Sequence, residues 1–186
     1  MRFYRWANAL TVGRLIAIPF VLFLLFKSHE QPANEHRALV LLVVMQASDI
    51  LDGVLARRAK RQASVGNPWG EILDPVADKL YIGCTYFTLS ITHGFPKWVM
   101  AIIISRDLLI GFGWVLRVLL TKIKTIKPNV VGKAADTCQA FLIFAFLLRI
   151  PTPLLDLGLT LTVALTLTSG LTYLVRGIHE ARHPIR

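Results

Sequence analysis

Residues 157–175 read LGLTLTVALTLTSGLTYLV, nineteen positions without a charge. A helix needs about 20 mostly apolar residues to cross the hydrocarbon of a bilayer, so this stretch reads as a membrane span, set at 156–175. Five further segments reach that length once occasional charges are tolerated: 9–27, 37–57, 75–93, 97–119 and 134–150. The expected fold is an all-α integral membrane protein with six transmembrane helices.

Composition agrees with that reading. Of 186 residues, 54% are hydrophobic and 17% charged, and the mean hydropathy is +0.56. Such a chain is neither a disordered tail nor a secreted disulfide mini-protein. The net charge of +10 on so apolar a chain points to an anionic lipid bilayer as partner rather than nucleic acid. Cys84 and Cys138 lie in apolar segments without metal or redox spacing, and read as packing residues.

The N-terminal stretch MRFYRWANALTVGRLIAIPFVLFLLF has the basic start and apolar run of a secretory signal, but no small-residue cleavage site follows. It reads as a retained first span. Its first residues, MRFYRWAN, mix three aromatics with two arginines and suggest a short N-terminal interfacial helix.

Orientation follows from the basic residues. Fifteen of the 21 Lys and Arg fall in the N-terminal stretch, Arg57–Arg61, Arg117–Lys133 and Arg176–Arg186, against four (Lys27, Arg37, Lys97 and Arg149) on the opposite side. Positive charge marks the cytoplasmic face, so both termini are expected in the cytoplasm, at a cell (inner) membrane. With no repeat and no long linker, residues 1–186 read as a single membrane domain.

The carboxylates carry the chemistry. Asp49-Ile-Leu-Asp52-Gly53-Val-Leu-Ala56-Arg57 closes the second span, and Asp74-Pro75-Val-Ala-Asp78 opens the third. Residues three or four apart share a helix face, so two helices can converge four carboxylates. Such a cluster repels itself unless cations neutralise it. Hard divalent ions with oxygen ligands do so, and two Mg²⁺ ions clamp a phosphoryl centre and its leaving group. A diphosphate substrate follows as the leading expectation, with Gly53 allowing close approach to the backbone and Arg57 offering a bidentate contact. Asp74 before Pro75 has the form of a helix N-cap.

Asp49-x-x-Asp52-Gly53-x-x-Ala56-Arg57, followed by Gly70-x-x-x-Asp74-x-x-x-Asp78, resembles the signature of the CDP-alcohol phosphatidyltransferase family. The resemblance implies an integral membrane enzyme that moves a substituted phosphoryl group from a CDP-linked donor to an alcohol and releases CMP. It departs at one place: twelve residues separate Arg57 from Gly70 where the family usually has eight, a four-residue extension within 58–69. Asn8-Ala-Leu-Thr11-Val-Gly-Arg14 with Pro19 resembles the first helix of phosphatidylglycerophosphate synthases and eukaryotic-type cardiolipin synthases. Ile104-Ser105-Arg106-Asp107, with Lys127-Pro128 and Gly132-Lys133, resembles the cardiolipin synthase branch. Gln139 matches a family segment Gly-Lys-x-x-Thr-x-x-Gln, in which Asp136 replaces the threonine.

By resemblance, Asp49, Asp52, Asp74 and Asp78 bind two Mg²⁺ or Mn²⁺ ions, and Asp78 is also the catalytic base. Asp49, Asp52, Gly53, Ala56, Arg57 and Gly70 line the CDP site. Arg106, Arg117 and Lys133 are the candidate ligands for a phosphate on the acceptor, with an ion pair to a bundle carboxylate as the competing reading of Arg106. The resemblance implies CDP-diacylglycerol as donor, an alcohol acceptor with glycerol 3-phosphate ahead of phosphatidylglycerol and inositol phosphate, and homodimers. Two rivals remain: a membrane prenyltransferase, which needs more spans than this chain offers, and a small ion or proton transporter, which leaves Gly53, Ala56 and Arg57 unexplained.

Overall fold

The computed structural model describes the backbone of residues 2–28, 30–31, 33–60, 68–121 and 130–182, and the side chains of 13, 15–28, 30–31, 33–48, 78–113, 130–175 and 177. The described backbone is all-helical: α1 (Arg2–Lys27), α2 (Ala33–Lys60), α3 (Pro68–Thr92), α4 (Lys97–Thr121), α5 (Val130–Leu147) and α6 (Thr152–Arg182). Each matches one segment read from hydropathy.

Two expectations are corrected. The short N-terminal interfacial helix is not a separate element, because α1 runs unbroken from Arg2; nothing in residues 2–12 is a strong helix breaker. Nor does the third helix start at Asp74. Pro68 takes the first helical position, where a missing N–H costs nothing, and Pro75 falls inside α3, where it cannot donate to the carbonyl of Glu71.

The helices group into two compact units, residues 1–94 and 95–186. In the first, α1 packs against both α2 and α3. Each contributes buried residues at helical spacing: Ile18, Val21 and Leu25 from α1, with Ser28 just beyond its end, Asn34, Ala38, Leu42 and Met45 from α2, and Ile82, Thr85 and Leu89 among those of α3. At the far ends of α1 and α3, Ser28 Oγ donates to the carbonyl of Leu25 (2.6 Å) and lies 3.1 Å from Nε2 of His93, while Thr92 Oγ1 lies 2.6 Å from Nδ1. His93, to which the sequence assigned no role, therefore joins these two helix ends.

In the second unit, α6 packs against α4 and α5. Phe95 meets Phe146 edge to face at 5.0 Å. The polarity of α6 is inverted relative to a helix in water. Thr162, Thr166 and Ser169 form its buried stripe, while Leu157, Leu161, Leu167 and Leu171 are each more than half exposed. Its outward threonines satisfy themselves, Thr160 and Thr168 donating to the carbonyls four residues back.

Two turns use left-handed backbone. Gly94 (φ 71°) follows α3, and Arg149 (φ 52°) follows α5. At the second turn Arg149 N–H donates to the Phe146 carbonyl and Ile150 N–H to that of Ala145, the bonding of a Schellman ending, which favours glycine. A Cβ at Gly94 meets nothing within 4 Å, so only the backbone resists it. Gly94→Ala is expected to lower stability by about 1 kcal/mol and Arg149→Gly to raise it by a similar amount; thermal melts of the purified protein check both signs.

Candidate active site

The four aspartates can be placed by helix register. On α2 the buried positions 34, 38, 42 and 45 continue, in steps of three and four, through 49, 52 and 56, which are Asp49, Asp52 and Ala56. On α3 the buried positions 82, 85 and 89 extend backward through 78 and 74, which are Asp78 and Asp74. Both pairs thus continue the inner stripes of the two helices that pack against α1. The carboxylate-bearing ends of α2 and α3 are also the ends that residues 61–67 join.

Asp78 is half-buried, with Lys79 beside it, and both engage neighbouring groups. The side chains of Asp49, Asp52, Gly53, Ala56, Arg57, Gly70, Asp74 and Arg117 lie outside the described residues, as do Lys127, Pro128 and most of the extended loop. Among the described residues no three His, Cys, Asp or Glu side chains converge. A metal pair fits on the chemistry of its donors, four carboxylates on two inner stripes with no basic residue among the stripe positions named.

The second unit holds a charged cluster of its own. Arg106 of α4 is 6% exposed. Its Nη1 donates to Oδ1 of Asp107 at 2.6 Å and to Oδ1 of Asp136 on α5 at 2.8 Å, and its Nη2 donates to Ser169 Oγ on α6 at 2.7 Å. A buried guanidinium demands such compensation. Two glycines make room for it: a Cβ at Gly132 would sit 3.2 Å from Arg106 Nη2 and 3.3 Å from Ser169 Oγ, and one at Gly170 3.6 Å from Arg106 Cγ. One helical step further, Gln139 Nε2 donates to Thr166 Oγ1 at 3.1 Å. Lys133 is exposed on α5, and its carbonyl accepts from Thr137.

The ion-pair reading of Arg106 therefore describes its contacts, and Asp107, Asp136, Ser169 and Gly132 are the partners that sequence reasoning passed over. A signal for Ser169 existed in the hydroxyls at 162, 166 and 169, which share one face of an otherwise leucine-rich helix.

The model of the CDP-alcohol phosphatidyltransferase family matches residues 4–172 of the chain. The chain belongs to that family. The relatives of this transferase fall into two groups by name. A probable phosphatidylglycerophosphate synthase of Mycobacterium tuberculosis is 30% identical over 178 residues, covering 94% of this chain and 82% of its own. The CDP-diacylglycerol–glycerol-3-phosphate 3-phosphatidyltransferase of Bacillus subtilis is 25% identical, covering 89% and 91%. A probable cardiolipin synthase (CMP-forming) of Drosophila melanogaster is 35% identical over 111 residues, 59% of this chain and 32% of that protein; the match spans only about a third of the fly protein's length.

Gly132→Ala in this phosphatidyltransferase pushes a methyl against a guanidinium held by three hydrogen bonds, an overpacking expected to cost about 1–3 kcal/mol. Ala134→Gly, on the same helix, removes a methyl and introduces no such contact. A melt of Gly132→Ala that matches wild type would show the guanidinium can yield.

Proposed function

We propose that the chain transfers the phosphatidyl group of CDP-diacylglycerol to glycerol 3-phosphate and releases CMP. The observation that carries this reading is the register of Asp49, Asp52, Asp74 and Asp78 on the inner stripes of α2 and α3, together with the family membership. These four carboxylates would hold two Mg²⁺ or Mn²⁺ ions, whose chemistry is to neutralise the diphosphate and stabilise the leaving phosphate of CMP. Gly53, Ala56, Arg57 and Gly70 line the cytidine diphosphate, Gly53 by leaving its backbone open to the ligand.

The acceptor hydroxyl oxygen bonds to the phosphorus of the phosphatidyl group, the bond from that phosphorus to the CMP oxygen breaks, and the hydroxyl proton passes to Asp78. A carboxylate is suited to this because the alcohol loses its proton as the new bond forms. Arg106, Arg117 and Lys133 are assigned to the phosphate of the acceptor. Phosphatidylglycerol is the second reading, favoured by Ser105-Arg106-Asp107 and by the cardiolipin synthases among the relatives.

The reading places the chain in a bilayer as six spans, with the active site and both termini on the cytoplasmic side, and, from the family resemblance, as a homodimer. Two kinds of observation support the bilayer. Val130–Leu147 and Thr152–Val175 are each long and apolar enough to cross it, and large apolar side chains such as Phe20, Phe23, Phe112, Phe141 and Leu171 stand more than half exposed, which water penalises and lipid does not. The 15-to-4 division of basic residues supports the orientation.

Purified protein given CDP-diacylglycerol, Mg²⁺ or Mn²⁺ and each acceptor in turn is expected to release CMP, with mass spectrometry identifying the lipid formed; no CMP with any alcohol sinks the proposal. Asp78→Asn is expected to lower kcat at least about 100-fold, the usual scale of general base catalysis, and wild-type turnover in that variant would remove Asp78 as base.

A further inference from the structure

An apolar groove of about 570 Å³ runs along the exposed side of α1, lined mainly by Gly13, Ile16, Ala17, Phe20 and Phe23 together with Leu41 of α2. Its size falls within the range of ligand pockets, about 300–1,000 Å³. Ile16, Phe20 and Phe23 are each more than half exposed, and a Cβ at Gly13 meets nothing within 4 Å. These positions lie off the face of α1 that carries the buried Ile18, Val21 and Leu25. The groove is therefore an outer feature of the first unit and takes no part in its core.

Its height follows from the pairing of α1 with α2. Asn34 Nδ2 donates to the Lys27 carbonyl at 3.4 Å, and Leu41 shares the groove with Ala17 and Phe20. In this antiparallel pair, position i of α1 therefore stands level with roughly position 60 − i of α2. The Gly13 end of the groove is then level with about position 47, and Asp52 stands about 7 Å beyond it at the helical rise per residue. In the other direction, away from the carboxylates, the groove runs about 15 Å from Gly13 to Phe23. Leu41 and Asp52 also share a face of α2, linked by steps of four, three and four residues through Met45 and Ser48.

We infer, on the donor and carboxylate site proposed above, that this groove seats one acyl chain of the CDP-linked lipid donor. The order of features along the helix pair is the order of groups along that lipid. Carboxylates come first, for the diphosphate; a gap of about 7 Å follows, which a glycerol backbone bridges; then comes an apolar channel for the chain. The bilayer solvates an acyl chain as well as the groove does, so the seat adds little affinity. Its effect is on direction: with the head held at the carboxylates, a chain laid in the groove fixes the orientation of the phosphorus, which a chain left in the bilayer does not. Gly13 and Ala17 set which donors fit, being the small residues that keep the groove open.

The test uses the full chain in nanodiscs. CDP-diacylglycerol with a photoreactive diazirine midway along one acyl chain is expected to label residues 16–23 several times more strongly than phosphatidylcholine with the same chain. Equal labelling by the two lipids overturns the inference, because the groove then holds bulk lipid. Absence of label on α1 overturns it too, the result expected if a second copy covers this face. Gly13→Leu and Ala17→Leu fill the groove, and both are made so that one folded variant is enough. Gly111→Leu, at another exposed glycine with open space around it, is the control. The ratio of kcat/KM for a dioleoyl donor over a dihexanoyl donor is expected to fall at least about fivefold in the groove variants, equivalent to about 1 kcal/mol of crowding. It should keep its wild-type value in Gly111→Leu. An unchanged ratio in a folded groove variant overturns the inference; should neither variant fold, the labelling of wild type decides. Wild-type protein that labels preferentially yet releases no CMP defeats the proposed transfer and leaves the acyl seat standing.

Discussion

A charge carried on an apolar helix must find its counter-charge within the fold, because neither a packed core nor hydrocarbon will solvate it. That constraint organises what is described of this phosphatidyltransferase. Arg106 draws Asp107, Asp136 and Ser169 to itself, so that α4, α5 and α6 meet around one guanidinium. Gly132 and Gly170 are small where its stem and head pass. In the first unit the same constraint falls on the aspartates of the family signature, whose positions are in register with the buried residues of α2 and α3.

The solvent outside the helices explains the rest of the packing. In water, the leucines of α6 would turn inward and its hydroxyls outward. Here Thr162, Thr166 and Ser169 are buried, and Leu157, Leu161, Leu167 and Leu171 face out. Lipid offers no hydrophobic reward for burying leucine, and helices in it associate through close packing of small residues and through hydrogen bonds, the pattern that α6 follows. The Gln139–Thr166 and Arg106–Ser169 bonds are of that kind.

The six helices were legible in the sequence because hydropathy over about 20 residues is a long signal, and errors were confined to ends. The Asp74-Pro75 dipeptide imitates a helix start, yet Pro68 supplies a better one six residues earlier, and the local signal could not reveal which of the two the chain uses. The acidic signature stands out in the sequence because its spacing is that of one helix face. The partners of Arg106 do not, since residues 107, 136 and 169 are scattered over three helices, and only packing shows which hydroxyl or carboxylate a buried cation reaches. The grouping of helices into residues 1–94 and 95–186 is likewise a matter of packing, which hydropathy does not carry.

The contact between Arg106 and Asp107 has a bearing on how the chain is made. Because the two residues are adjacent on α4, the pair closes as soon as that helix forms, before α5 has been synthesised. Asp136 follows 30 residues later, on the order of seconds at ordinary rates of elongation. During that interval Asp107 already offsets the charge of Arg106, so the middle of α4 does not carry a lone buried cation. The neighbouring aspartate acts as an escort for arginine during biogenesis.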